Sequence, residues 1–362
     1  MRRRAARLCP YLLLAFAAGA ARAGEVPLPP APPGSAEVEL RFLGFGGFEL
    51  QGTLTLPAPA PKGGAPGVLL LPGSGPTDRN GNQPPYLFTD LLKQIAERLA
   101  HEGFATLRFD KRAAAGYAAR WPPDPAQQDA FFGWEAFTGD ARAALETLRR
   151  RSEVEGGRTA VVGHSEGGLI ALQLAQDLSL GTPPAALVLA GTAGARYDDL
   201  IRYQVARALD WQGADEATRE QYRGALDRAI RSIVDSGTVP GDLPVGLSGL
   251  FPRNATRLLR SYFTLDPVAL AGAYRGPVLL LHGALDNQVP AQEHTARLLT
   301  ALAARAGGVQ ESVVVAGASH NLKPVSALRD LGVAGAVAPE ALDALVAFLT
   351  RVLESRAAGS RR

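Results

Sequence analysis

The sequence predicts an α/β fold, a doubly wound and mainly parallel sheet interrupted by a helical insertion. From residue 68 onward, short apolar runs alternate with amphipathic helical patterns. That alternation implies parallel pairing, because one parallel strand reaches the next only through a crossover connection. Val68-Leu69-Leu70-Leu71 and residues 185–189 are continuously apolar rather than alternating, as in strands covered on both faces. The alternation then stops over residues 193–275, where the patterns are helical, and resumes afterwards.

In chain order, residues 1–23 are expected to be a secretory signal peptide. They have a basic start, an apolar stretch over 8–21 and Ala21-Arg22-Ala23 as a small-x-small cleavage site. The stretch is too short to span a bilayer permanently, so no stable membrane insertion is expected after cleavage. Arg2 to Arg4 leave twin-arginine export open beside the general route. Five arginines lie in this segment, and without them the formal charge of +3 becomes −2. Charge then offers no ground for a nucleic-acid partner. The only cysteine, Cys9, also leaves with the segment. The mature chain would have no disulfide or thiolate metal site, which suits a bacterial periplasm or exterior.

Residues 24–36 are Pro-rich and are expected to form an extended linker. The first part of the core is assigned to 37–192. Residues 38–45 and 48–56 predict a hairpin through Gly46-Gly47 at the sheet edge. A buried strand at 68–71 ends in Pro72-Gly73-Ser74-Gly75. A helix over 89–101 sets Leu91, Leu92, Ile95 and Leu99 against Lys93, Glu97 and Arg98. A strand over 104–109 precedes an expected loop at 113–134 and a helix over 138–151, with Thr138 or Asp140 near its start. Two longer helical patterns and a shorter one at 256–263 make 193–275 an expected cap over the C-terminal edge of the sheet. The second part of the core, 276–354, carries a strand at 277–281, a helix at 291–305, a strand at 311–315 and a last helix at 339–354. Residues 355–362 are expected to be a disordered basic tail.

The chemistry centres on Val161-Val162-Gly163-His164-Ser165-Glu166-Gly167-Gly168. A β-branched run enters Gly-x-Ser-x-Gly and a helical run leaves it, so the strand must turn into a helix within a few residues. Ser165 is then expected at a strained apex, a nucleophile elbow, with Gly163 and Gly167 keeping side chains out of the backbone crossing. A serine hydroxyl needs a histidine to take its proton, and the histidine needs a carboxylate to hold its tautomer. In the order serine, acid, histidine, Asp286 follows the strand at 277–281 and His320 follows the strand at 311–315. Both fall at strand C-termini, where open α/β sheets bind ligands. His101 and His294 fall in helices, and His164 and His282 flank turns they are expected to orient. The oxyanion site needs two N–H donors. Glu166 supplies one by position, and Ser74, with Gly75 as the second choice, supplies the other. Asp78, Arg79, Lys111 and Arg112 are read as ion pairs bracing this loop.

The elbow, Leu281-His282-Gly283-Ala284-Leu285-Asp286 and Gly317-Ala318-Ser319-His320 resemble the α/β-hydrolase superfamily over about residues 38–354. Pro72-Gly73-Ser74-Gly75-Pro76-Thr77-Asp78-Arg79-Asn80-Gly81 with Phe109-Asp110-Lys111-Arg112 is similar to a bacterial branch of esterase-like serine hydrolases, related to the serine aminopeptidase and acylglycerol lipase group. The resemblance implies carboxylic-ester hydrolysis by Ser165, Asp286 and His320, without metal or organic cofactor. The sequence departs from that branch after Arg112, where Ala113-Ala114-Ala115-Gly116-Tyr117 replaces the usual Gly-x-Gly-x-Ser. Ser165 at the elbow argues against the dehalogenase relatives, which place an aspartate there.

The expected partner is a small-molecule ester, with activity falling at acid pH as the base protonates, and the sequence sets no oligomeric state. A thioesterase would share this chemistry. An aminopeptidase would need a carboxylate cluster for a free amine, for which Asp210, Asp215, Glu216, Glu220 and Asp227 are available as solvated helix faces. A non-catalytic binding protein on the same fold is the reading from a different class.

Overall fold

The structure, a computed structural model, describes residues 35–244, 246–305 and 307–359, the last five by backbone alone. The expected signal segment and residues 24–34 of the linker lie outside the described residues. Residues 35 and 36, assigned to the linker, already belong to the first strand.

Strands β1 (Ser35–Leu43) and β2 (Glu49–Pro57) form the expected antiparallel hairpin. Its turn holds Gly46 and Gly47 at φ 65° and 76°, a region open to glycine without cost. β3 (Ala65–Leu71) leads to α1 (Leu91–His101) and β4 (Ala105–Phe109). The expected loop at 113–134 is instead partly helical, with a short 3₁₀ helix over Ala115–Arg120 and α2 (Pro125–Phe131). Asp124 caps α2 by accepting from the N–H groups of Ala126 and Gln127, with proline at the first helical position. At seven residues, α2 is too short to show a helical period. α3 (Trp134–Arg149) starts four residues before the expected Thr138, and this puts Asp140 inside the helix, where it is buried.

β5 (Val154–His164) passes through Ser165 into α4 (Glu166–Leu174), and β6 (Leu187–Ala190) follows. Then come α5 (Tyr197–Trp211), α6 (Glu216–Ser236), α7 (Thr256–Thr264) and α8 (Pro267–Ala273). The sheet resumes with β7 (Val278–Gly283), α9 (Ala291–Ala303), β8 (Gln310–Val315) and α10 (Pro339–Gly359). Because α10 runs on to Gly359, residues 355–359 are helical rather than the start of a disordered tail.

The eight strands lie in the order β1-β2-β4-β3-β5-β6-β7-β8, antiparallel among β1, β2 and β4 and parallel from β4 to β8. Val68 and Leu70 of β3 join α1 and α10 in one buried core layer. Leu71 of β3 and Phe109 of β4 meet Phe137 and Ala141 of α3 and Ile170 of α4 on the opposite face. Helices therefore cover both faces, and the central strands are apolar on both. The chain leaves β3 toward β4 on one side, whereas β5 lies on the other and leads away from it. The C-terminal ends of β3 and β5 thus sit at the reversal of strand order, where doubly wound sheets open a crevice.

Among the described residues two compact units emerge, one within 35–118, 135–194 and 267–359, which carries the sheet, and one that unites 119–134 with 195–266. In the second, Ile201, Val205 and Leu209 of α5 pack with Leu226, Ile230 and Ile233 of α6 and Leu259 and Phe263 of α7. Asp129 of α2 accepts from the Arg257 N–H and the Thr256 hydroxyl, capping α7 where its own preceding residue, Ala255, offers no side-chain acceptor. Among the described residues, no helix is long and apolar enough to cross a membrane.

Candidate active site

Ser165 sits between the last residue of β5 and the first of α4 at φ 54°, ψ −117°, outside the favoured regions for a non-glycine residue. Such a conformation costs on the order of 1–3 kcal/mol and persists only where the surroundings over-determine it. Here the glycines create that surrounding. A Cβ on Gly163 would lie 2.2 Å from the Gly167 carbonyl oxygen, and one on Gly167 would lie 2.4 Å from that of Leu71. A Cβ on Gly168 would lie 1.9 Å from Thr192 Oγ1. The Ser165 N–H donates to the Ala190 carbonyl at 2.7 Å, and the Ser165 carbonyl accepts from the Gly168 N–H at 3.0 Å.

On the other side of the site the parts are polar. His320 Nδ1 lies 2.7 Å from Asp286 Oδ2, with the Asp286 side chain fully buried. Asp286 Oδ1 accepts from the N–H groups of Gln288 and Val289, both at 2.9 Å. Burial alone would raise the Asp286 pKa, but the charge and hydrogen bond of His320 and the Val289 N–H outweigh it, and the carboxyl is held below its ordinary value. The loops bearing the two residues are laced together, Ala284 N–H to Val315 O at 2.9 Å and Leu285 N–H to Ala318 O at 2.8 Å. A Cβ on Gly283 would lie 2.2 Å from the Ser319 carbonyl oxygen, so glycine there sets how closely the loops approach.

His164 joins the two sides. Its Nε2 donates to the His320 carbonyl at 3.0 Å, and the two rings lie 4.7 Å apart, centroid to centroid. Burial, helped by the neighbouring His320, pushes its pKa down to about 3, so the ring is neutral and its Nε2–H is available to that carbonyl. His282 is likewise buried, its pKa pushed down to about 4 chiefly by desolvation, with Nδ1 3.2 Å from Thr295 Oγ1 of α9. Gly191, which the sequence reading did not single out, backs the His320 ring. Its φ is 58°, and a Cβ there would come within 3.1 Å of His320 Cε1. A lone glycine after an apolar strand is too common a signal to have marked it.

The loop after β3 reaches Ser165, since a Cβ on Gly73 would lie 3.3 Å from both Ser165 Cβ and His164 Nδ1. Ser74 and Gly75 follow in that loop. The Ser74 carbonyl accepts from Gln83 Nε2 at 2.8 Å and from the Thr77 hydroxyl at 3.1 Å. Gly75 has φ 92°, and a Cβ on it would press to 2.8 Å from the Gln83 amide.

Of the four residues read as ion pairs around this loop, three form them, with partners the sequence did not indicate. Arg79 pairs with Asp110 at 2.7 Å and with Glu39 of β1. Arg112 pairs with Asp140 inside α3, and Lys111 with Glu166 at 2.6 Å. Asp78 does not pair with Arg79, Lys111 or Arg112. It accepts from the N–H groups of Asn80 and Asn82, closing its own turn. Among the described residues no cluster of histidine, cysteine, aspartate or glutamate is arranged to hold a metal ion.

Ser165, Glu166, Ser74, Gly75, Asp286 and His320 all fall in loops at the C-terminal ends of β3, β5, β7 and β8 or directly after them. Solved structures share the architecture. The puromycin-hydrolyzing peptidase of Mycobacterium tuberculosis aligns at 20% identity and TM-score 0.54 over 91% of this chain and 41% of its own. A puromycin hydrolase aligns at 18% identity and TM-score 0.54 over 90% and 41%. The Pyrococcus furiosus esterase Pf2001 aligns at 16% identity and TM-score 0.52 over 88% and 93%. The chain thus spans about two fifths of the length of the first two and nearly all of the third. No curated protein matches the chain. The model of the alpha/beta hydrolase family matches residues 68–335, from β3 through the loop that carries His320, and the chain belongs to that family.

Proposed function

We propose that the protein is an exported serine hydrolase that cleaves carboxylic esters through an acyl-enzyme intermediate. The observation that carries this reading is the buried Asp286–His320 hydrogen bond, tied through His164 to the strained turn bearing Ser165. With Nδ1 engaged by Asp286, His320 Nε2 is the nitrogen that exchanges a proton with Ser165. Ser165 Oγ attacks the ester carbonyl carbon while His320 takes the hydroxyl proton, and the carbonyl oxygen becomes an oxyanion facing the N–H groups of Ser74 and Glu166, with Gly75 N–H the alternative to Ser74. Collapse expels the alkoxide, to which His320 returns the proton. Water then attacks the acyl-serine with His320 again as base, releasing the carboxylic acid and restoring Ser165.

Two named neighbours hydrolyse puromycin or are peptidases, and one is an esterase. Ester rather than aminoacyl specificity is supported by the carboxylates that would have had to hold a free amine. Asp210 pairs with Arg219, Glu216 and Glu220 with Arg223, and Asp227 with Arg202, while Asp215 caps α6. Each is occupied with its own helix or a neighbouring one. Export rests on residues 1–23 alone, and N-terminal sequencing of protein recovered from a periplasmic fraction should begin at Gly24.

The test is hydrolysis of nitrophenyl esters from acetate to palmitate beside aminoacyl nitroanilides, with Ser165→Ala as control. Ester turnover that falls about a millionfold in the variant is expected. Turnover confined to the anilides would replace the esterase by a peptidase. Failure of the folded wild type to react with a fluorophosphonate would remove the serine-hydrolase reading altogether.

A further inference from the structure

Lys111 is the first residue but one after β4, and its ammonium makes two bonds at the site. Nζ donates to Glu166 Oε1 at 2.6 Å and to the Gly73 carbonyl at 3.2 Å, and it lies over the Phe137 ring, 4.7 Å from its centroid. Both charged side chains are buried, 5% and 6% exposed.

One bond falls on the peptide unit that carries the Ser74 N–H, and the other on Glu166, whose own N–H is the second proposed donor. The Gly73 carbonyl and the Ser74 N–H belong to one planar trans peptide unit, in which C=O and N–H point in opposite directions. A cation bonded to the Gly73 oxygen therefore fixes the plane and turns the Ser74 N–H away from Lys111. Cα of Gly73 is near Ser165, since a Cβ built on it would lie 3.3 Å from Ser165 Cβ. The second bond holds the side chain of Glu166, the residue whose own N–H opens α4 beside the nucleophile. It also balances a carboxylate that would otherwise repel a developing oxyanion close by.

We infer that the buried Lys111–Glu166 pair is a positioning device for the oxyanion site, with Lys111 orienting and polarising the Gly73–Ser74 peptide while neutralising Glu166. The inference rests on the serine-hydrolase reading above and deepens it. Lys111 touches no reacting atom and acts only through the two donors.

Arg112, next in sequence, makes an equally buried pair with Asp140 in the same unit and donates to the Phe45 carbonyl on the hairpin turn. It provides the control for a purely structural ion pair. Lys111→Met alone removes the counter-charge of a buried carboxylate and can unfold the chain, so the informative variant is the double one, Lys111→Met with Glu166→Gln. The methionine stem fits the apolar surroundings of Leu71, Phe109 and Ile170.

The measurements are kcat per site titrated by fluorophosphonate, KM, and inhibition by a trifluoromethyl ketone, which forms a tetrahedral oxyanion on serine. The double variant is expected to lose about ten- to a hundred-fold in kcat, short of the hundred- to thousand-fold loss on deleting a donor outright. Its ketone inhibition constant should rise by the same factor, with KM within about twofold. Arg112→Met with Asp140→Asn should lower the melting temperature while leaving kcat per titrated site and ketone inhibition unchanged. A folded Lys111/Glu166 double variant with wild-type kcat and ketone affinity would overturn the inference and leave the esterase reading intact. A wild-type protein inert to both ester and fluorophosphonate would overturn both.

Discussion

The serine side and the histidine side of the site are built by different forces. Around Ser165 the determinant is steric, because Gly163 and Gly167 let β5, α4 and the end of β3 approach so closely that backbone carbonyls occupy the space a Cβ would need, and Gly168 makes room for the Thr192 side chain. Around His320 the determinant is polar, because Asp286 is held by two backbone N–H groups and a histidine, and the His320 carbonyl by a second histidine. The difference teaches where damage should appear. A change on the steric side is expected to deform the fold and take activity with it, whereas a change on the polar side is expected to leave the fold standing and remove the proposed proton transfer.

The largest expected effect that separates them is on the polar side. Asp286→Asn keeps an acceptor for Gln288 and Val289 but presents an N–H to His320 Nδ1, favouring the wrong tautomer, and kcat should fall about 10⁴-fold. Circular dichroism and melting should remain those of a folded protein. Loss of the folded state instead would erase the distinction.

Next in size is Gly163→Ala, whose Cβ would collide with backbone rather than with a side chain able to turn away. A loss of about 3 kcal/mol or more in denaturant unfolding is expected. Gly191→Ala sharpens the contrast. Its Cβ would approach the His320 ring and its positive φ costs about 1–2 kcal/mol, so stability should drop less than in Gly163→Ala while kcat per folded molecule falls. If Gly163→Ala unfolds at the wild-type midpoint, the steric account of the elbow is wrong.

The most gradual effect, spread over several pH units, is the acid response of the buried histidines. His164 and His282 titrate at about 3 and about 4 in the folded chain against an ordinary 6.5, so between those values the unfolded chain binds the protons. Stability is therefore undiminished by them above about pH 6.5 and falls as pH drops below it, by up to about 1.4 kcal/mol per unit for each ring. The His164 contribution continues down to about pH 3. Asp286, held below its ordinary value, adds a loss at lower pH, as the pH falls through its folded value. Urea midpoints measured from pH 7 to 4 check this, and a flat profile would show that the rings are not buried neutral.

Much of the site was legible because its signals are local. A β-branched run, small residues at fixed offsets from Ser165 and a helical run after it are steric requirements met within a dozen residues. Asp286 was legible because it follows the continuous apolar run of β7, and His320 because it follows the β-branched run Val313-Val314-Val315 that ends β8. The errors arose where local signal is weak or misleading. The seven residues of α2 carry a cap but no period, and the start of α3 was misplaced because Asp140 looks like a capping residue although its carboxylate is spent on Arg112.

The sequence by itself determined the parallel sheet, the strained turn at Ser165 and the order of serine, acid and histidine, since periodicity and the need for missing side chains are properties of neighbours along the chain. Only the tertiary structure decided which charge meets which. Lys111 finds Glu166 55 positions away and Arg112 finds Asp140 28 positions away. Several arginines and carboxylates could have taken either partner. The choice followed from which strand ends the sheet order brings together, because a buried charge is tolerable only where its counterpart already stands.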